Sequence, residues 1–149
     1  MNRFATAFAA SFTRSTRLVA VAAVFVMAAG SAAAQSIDQI RAEFARQVYA
    51  HAGDQINHGQ PQAMLRAVVV LRIKLDESGR WVAEVFRDND TQPELTQVAL
   101  QSVAKLPPPT QLKPEVVEAL RSNGLIEAWL FEKDGRFALK TLAKPQKRA

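Results

Sequence analysis

In the stretch Ala67–Leu75 apolar residues occupy every second position from Val69 onward, with Arg72 and Lys74 between the last of them, which is typical of a β-strand because successive side chains of a strand point to opposite faces. The apolar face carries Val69, Leu71, Ile73 and Leu75, and the opposite face carries Arg72 and Lys74. The segment Asp76–Arg80 has turn chemistry, and a second β-rich segment, Trp81–Arg87, follows at once. The pattern predicts a β-hairpin with one buried face and one solvated face.

After the hairpin the apolar residues recur every three or four positions, which predicts an amphipathic helix packed on the hairpin. The apolar stripe consists of Leu95, Val98, Ala99, Ser102, Val103 and Leu106. The segment Thr91–Glu94 predicts the start of this helix, as a capping box with proline in the first turn.

An earlier segment has the same helical spacing. Apolar positions from Ile37 to Ala52 recur every three or four residues, Ser36–Gln39 has the form of a capping box, and Gly53 suits the residue after a helix end. The polar segment that follows, up to Gln62, contains two glycines and a proline and is predicted to be a loop or hinge.

The last third of the chain predicts a connector, a short helix and a second hairpin. Three consecutive prolines keep Leu106–Thr110 extended, and Pro114–Ser122 reads as a helix that ends before Gly124. Leu125–Glu132 and Phe137–Leu142 read as strands joined by an Asp-Gly turn. We therefore expect an α+β fold, in which a small antiparallel sheet of three to four strands carries helices on one face.

Residues 1–34 have the features of an export signal. Three arginines precede an apolar run that is short for a membrane span, and Ala32–Ala34 offers a site for signal peptidase. Cleavage there predicts a periplasmic protein with an N-terminal helix and loop (35–62), an α+β domain (63–143) and a basic, mobile tail (144–149). The alternative is an N-terminal segment that is retained as a membrane anchor.

Charge and composition exclude several classes of function. The chain has a formal charge of +5, but three arginines lie in the predicted signal, and the remaining balance is too weak to indicate a nucleic-acid partner. The chain contains no cysteine, so disulfides, thiolate metal sites and cysteine nucleophiles are excluded. No phosphate-binding loop or dinucleotide motif is present, and we expect no cofactor.

Several segments together resemble the C-terminal domain of TonB-type energy transducers. The resemblance rests on the strand Val68–Ile73, the turn and strand Asp76–Val82, the helix Pro93–Val103, the triple proline after Leu106, and Leu130–Gly135. It implies a fold related to the TolA C-terminal domain and a periplasmic protein-interaction module that binds an extended segment of another envelope protein by strand addition.

In the resembled family, partners add a strand beside the segment that corresponds to Glu127–Lys133. The resemblance therefore implies a docking edge for a partner or for a second copy in a homodimer, with Trp129 and Phe131 as anchors. The candidate residues are Glu127, Trp129, Phe131, Lys133, Phe137 and Leu139. Because the Asp-Gly turn folds Phe137–Leu142 back towards this edge, we expect weak binding that strengthens when residues from Phe137 onward are deleted.

A small exported enzyme is the alternative reading. His51 and His58, with Asp54 between them, form a weak candidate for a metal or base site, since no third ligand is evident and the loop contains glycines. The strand carboxylates Glu84, Glu127 and Glu132 would act as acid and base only if two of them faced each other. We expect these groups to be ordinary surface residues and predict no catalytic or metal site.

Overall fold

The computed structural model describes residues 25–87 and 91–148, with side chains from residue 37 onward. Over these residues the chain folds into three α-helices, a short 3-10 turn (Gly53–Gln55) and four strands, in the order that the hydrophobic pattern predicts. The helices are α1 (Phe25–Ala52), α2 (Pro93–Ala104) and α3 (Pro114–Ser122), and the strands are β1 (Ala67–Leu75), β2 (Trp81–Arg87), β3 (Leu125–Phe131) and β4 (Phe137–Leu139). The predicted α+β class with an antiparallel sheet of four strands is confirmed.

The strands form one antiparallel sheet in the order β2-β1-β3-β4. Each predicted hairpin is present, and the two hairpins join through the pairing of β1 with β3, in which Ile73 lies opposite Leu125 and Ala67 lies opposite Phe131. Strands β2 and β4 are therefore the two outer strands of the sheet.

The two faces of the sheet have different surroundings. The helices cover the face that carries Leu71 and Ile73, which are fully buried. The other face, which we call the open face, carries Val68, Arg72 and Ile126 and stays in contact with solvent. The predicted separation of buried and solvated positions along β1 is confirmed, because its burial alternates residue by residue.

Aromatic side chains dominate the core between the sheet and the helices. The ring of Phe44 on α1 packs edge-on against Trp81 and Trp129, with ring centroids 5.2 and 6.4 Å apart. Phe131 and Phe137 lie 5.5 Å apart across the pairing of β3 with β4. Such contacts stabilise a fold by about 0.5–1.5 kcal/mol each beyond the area that they bury.

The helix starts differ from the predicted capping boxes. In the described residues α1 is continuous from Phe25 through Ser36–Gln39, so no helix starts at that capping box, because the preceding alanine-rich segment has a high helix propensity. α2 has Gln92 as its N-cap, with no side-chain capping hydrogen bond, although Pro93 occupies the first turn as predicted. The basic half of the predicted signal, residues 1–24, lies outside the described residues.

The fourth strand is shorter than predicted. β4 ends at Leu139, and the chain then turns, with the amides of Leu142 and Ala143 both donating to the carbonyl of Leu139. Among the helices of the described residues, none has the length and hydrophobicity needed to cross a membrane.

Candidate interaction surface

The edge on the β4 side of the sheet is closed by the protein itself. β4 pairs with Trp129–Phe131 of β3, and its own outer side is occupied by the loop after α1. The amide of Asn57 donates to the carbonyl of Phe137 at 2.7 Å, and the amide of Leu139 donates to the hydroxyl of Tyr49 at 3.2 Å. These outward backbone groups of β4 thus have partners already, and β3 extends beyond the β4 pairing only at residues 125–128.

The side chains proposed as anchors at this edge lie inside the protein. Trp129 and Phe131 are fully buried, and the indole N–H of Trp129 donates to Ser102 Oγ at 3.0 Å. The register of β1 with β3 places both side chains on the face that the helices cover. Glu127, Phe137 and Leu139 are also buried, and of the six candidates only Lys133, in the turn, is exposed. An anchoring role for Trp129 and Phe131 therefore does not fit the structure.

Truncation at Phe137 would not uncover a docking edge. Phe137 and Leu139 have no exposed surface, so their removal would open the core next to Phe131. The expected gain in affinity on truncation depended on Phe137–Leu142 being a detachable cover, and the structure makes this segment part of the core.

Two buried glutamates, Glu132 and Glu127, accept hydrogen bonds from the chain segments around β4. Glu132 Oε1 accepts hydrogen bonds from Asn57 Nδ2 at 2.9 Å and from the amide of Gln62 at 3.0 Å. Glu127 Oε1 accepts from its neighbouring amide at 2.8 Å and from the amide of Thr141 at 3.3 Å. Through Oε1 each carboxylate joins segments that are distant along the chain, which is a structural role, while its Oε2 is buried without a hydrogen-bond partner.

The groups considered for catalysis do not converge. Glu84 lies on the open face, opposite Arg72, whereas Glu127 lies on the covered face, opposite Leu71. His51 is exposed at the end of α1, with Nδ1 2.9 Å from the carbonyl oxygen of Gln47. Among the described residues, no three His, Cys, Asp or Glu side chains are placed to hold a metal ion.

The shifted pKa values of three side chains also have structural causes. Burial raises the pKa of Tyr49, whose ring packs edge-on against His58 at 5.9 Å. The pKa of Asp76 and that of Asp134 are lowered, chiefly by hydrogen bonds from the amides of Arg80 and Arg136. Both aspartates stabilise hairpin turns, and neither lies in a cleft with other titratable groups.

The outer side of β2 is the longest open edge of the sheet. The hydrogen bond from the amide of Asp76 to the carbonyl of Arg80 sets the phase of the β1–β2 ladder, in which bonded pairs recur every second residue. By that alternation the backbone N–H and C=O groups of Ala83 and Val85 point away from β1. In the described part of the chain, no strand pairs with this side of β2.

Apolar side chains accompany this open edge. Phe86 is 56% exposed and Val85 is 44% exposed, and Val82 adds a third partly exposed apolar side chain. The guanidinium of Arg72 lies 5.1 Å from the ring centroid of Phe86, and Lys74 Nζ lies 3.7 Å from Glu84 Oε1. The edge therefore offers free backbone groups beside an apolar and a charged side-chain surface.

The docking edge predicted from the sequence, Glu127–Lys133, is paired with β4 over residues 129–131, whereas no described strand pairs with the outer side of β2. The apolar residues Val82, Val85 and Phe86 were visible in the sequence, but the strand order that leaves β2 outermost depends on the pairing of β1 with β3. The spacing of the apolar residues in β2 could have indicated an exposed apolar surface, because these residues do not all fall on one face of the strand.

Comparisons of the chain with protein-family models, with curated proteins and with solved structures found no match. The class that the geometry itself defines is an α+β domain whose four-stranded antiparallel sheet is covered by helices on one face and keeps one outer strand open.

Proposed function

We propose that this protein is an exported interaction module, which binds an extended segment of another envelope protein by adding it as a strand beside β2. The resemblance to the TonB C-terminal domain suggested the strand-addition mode, and the composition of residues 1–34 suggested export. Because the outward backbone groups of β4 have partners, we assign the docking edge to β2 instead of to β3 and β4.

The observation that carries this proposal is the contrast between the two outer strands. β4 has three residues, and its outward backbone groups at Phe137 and Leu139 are bonded to Asn57 and Tyr49. β2 has seven residues, and no strand among the described residues pairs with its outer side. Backbone hydrogen bonds supply affinity in strand addition, and exposed side chains of alternate residues supply selectivity.

The open edge has features that limit indiscriminate pairing. A change of register between Val70 and Leu71 marks a bulge in the β1–β2 ladder near the end of β2. Charged side chains at Glu84 and Arg87 lie among the apolar ones. Bulges and charges on edge strands are features by which proteins avoid aggregation, so we expect a selective partner.

The test replaces one outward-facing amide. Ala83→Pro removes an N–H group that points away from β1, and proline is tolerated where the amide of an edge strand faces solvent. Ala83→Ser is the matched control, because it changes the side chain and keeps the amide. Partners from an envelope extract are captured on each variant and on the parent protein, and the fold of each variant is checked by circular dichroism.

We expect one partner to be retained by the parent protein and by Ala83→Ser and to be lost from Ala83→Pro. In the complex, the amides of Ala83 and Val85 become protected from hydrogen exchange. Equal capture by both variants, or protection confined to the loop around Asn57, would contradict strand addition at β2. If the retained partner is the protein itself, sedimentation gives a homodimer and the same edge is its interface.

A further inference from the structure

A cleft of about 470 Å³ lies on the open face of the sheet, separate from the β2 edge. Its floor is formed by facing residues of β1 and β3, which present Val68 and Val70 beside Ala128 and Leu130. The residues that complete its lining are Pro61, Leu65, Lys140, Ala143, Lys144 and Gln146.

The end of the chain forms one wall of this cleft. We call residues 143–147 the C-terminal strap. The amide of Lys147 donates to the carbonyl of Pro61 at 2.9 Å, and Gln146 Nε2 donates to the carbonyls of Gln62 and Ala63 at 2.6 and 2.9 Å. The sequence predicts a mobile tail, whereas these bonds attach the strap to residues 61–63 beside the cleft.

A second cavity adjoins the cleft. It shares Val70, Ala128 and Lys140 with the first cavity and continues towards Ile126 and Arg41. Because Glu127 and Arg41 come from the covered side of the sheet, the second cavity continues around the edge of β3, and the groove on the open face is the first cavity alone. Volumes of about 300–1,000 Å³ and mostly apolar walls with a few polar groups are typical of small-molecule sites.

The polar groups of the first cavity make it selective for an anion. Lys140 and Lys144 lie at its rim, and neither forms an ion pair with another described residue. No carboxylate lines this cavity. Glu127 lies in the second cavity, so an anionic head group is favoured at the strap end, near Lys144, and disfavoured at the far end.

The floor of the groove distinguishes an acyl chain from a peptide. The backbone N–H and C=O groups of β1 and β3 lie in the plane of the sheet, where its ladders run, so the floor presents side chains. A peptide that lay across it would bury amide groups without partners, whereas a hydrocarbon chain has no polar group to satisfy. We propose that the groove binds one free long-chain carboxylate, with its chain on Val68, Val70 and Leu130 and its head group between Lys140 and Lys144.

The test measures binding of dodecanoate, below its micellar concentration, to the purified full chain by titration with amide NMR detection. We expect saturable shifts at Val70, Ala128, Leu130 and the strap, with β2 unaffected. The double variant Lys140→Glu and Lys144→Glu should weaken binding by at least about tenfold, because it removes two charge-assisted contacts and repels the head group. Lys133→Glu is the matched control, since Lys133 is an exposed lysine outside the groove.

The contacts of the hydrocarbon chain and those of the carboxylate head group are tested by separate experiments. Leu130→Glu places a charge in the apolar floor and should abolish binding, while the fold is monitored by the core signals of Trp129. Dodecanol and dodecyltrimethylammonium should bind at least about tenfold more weakly than dodecanoate. Equal binding of dodecanoate, dodecanol and dodecyltrimethylammonium would contradict the proposal that Lys140 and Lys144 bind the head group.

Two further results would overturn the proposal itself. One is binding to vesicles of anionic phospholipid without any binding of monomeric dodecanoate, which would make the open face a membrane-contact surface. The other is displacement of dodecanoate by extended acidic peptides with equal affinity, which would make the groove a peptide site. Ala83→Pro leaves the groove intact. Loss of partner capture by this variant and binding of dodecanoate to the groove are therefore separate results, and either can fail without the other.

Discussion

Gly124 offers a stringent stability test of this structure, because a side chain at this position would cause both backbone strain and steric overlap. The residue joins α3 to β3 with a φ of +69°, in the left-handed region that L-residues avoid. A Cβ at this position would lie 2.6 Å from the carbonyl oxygen of Ile73 and 2.8 Å from Lys74 Cγ. The lysine carbon can move, but the carbonyl belongs to the central strand and is held by the sheet ladder.

The expected cost of Gly124→Ala is the sum of strain and overlap. The left-handed conformation costs an alanine about 1–2 kcal/mol, and forcing extra volume into a packed site costs about 1–3 kcal/mol more. We therefore expect the free energy of unfolding to fall by about 2–5 kcal/mol. Urea denaturation followed by tryptophan fluorescence measures this change, since Trp81 and Trp129 both lie in the core.

Gly79→Ala is the matched control for the steric part. Gly79 lies in the β1–β2 turn with a φ of +79°, and a Cβ there would meet no atom within 4 Å. This variant carries the conformational strain alone and should lose about 1–2 kcal/mol. If Gly124→Ala is no less stable than Gly79→Ala, the close approach of Gly124 to β1 is refuted.

Three other predictions concern the core, the turns and export. Ile73→Ala should lower the free energy of unfolding by about 2–5 kcal/mol through lost burial and a cavity, whereas Lys74→Ala on the open face should cost less than about 1 kcal/mol; equal losses in urea melts would mean that the faces of β1 are misassigned. The pKa of Asp76 is lowered chiefly by the amide of Arg80, so its stabilisation is present above the pKa of a free aspartate, 3.8, and is lost as the pH falls through the lower folded value. The stability difference between the parent protein and Asp76→Asn should therefore shrink in acid, and a constant difference would exclude this linkage. Protein recovered from the periplasm should begin at Gln35 on N-terminal sequencing, and a membrane-bound form that retains the first 34 residues would contradict cleavage.

Local periodicity was enough to predict most of the fold. Strand β1 alternates residue by residue, and α2 places Leu95, Ala99 and Val103 on one face, so each element is recognisable from its own sequence. The glycine at the turn of each hairpin marks where the chain reverses. These features depend on neighbours within a few positions, and for that reason the sequence specifies them without reference to the rest of the molecule.

The candidate site depended on contacts between distant residues, and here prediction from the sequence failed. Whether Trp129 is an anchor or a core residue follows from the pairing of β3 with β1, which fixes the face to which its side chain points. That the β4 edge is closed follows from Asn57, which lies eighty residues before Phe137 in the chain and bonds to its carbonyl.

Local sequence pattern specifies the secondary-structure elements, the buried face of β1, the apolar stripes of the helices and the absence of thiol chemistry. The strand order depends on tertiary pairing, and so do the open edge at β2 and the groove beside the C-terminal strap. The difference arises because periodicity indicates which face of an element is buried. Which edge of a sheet stays open is a property of how several elements pair and pack, and no single segment carries it.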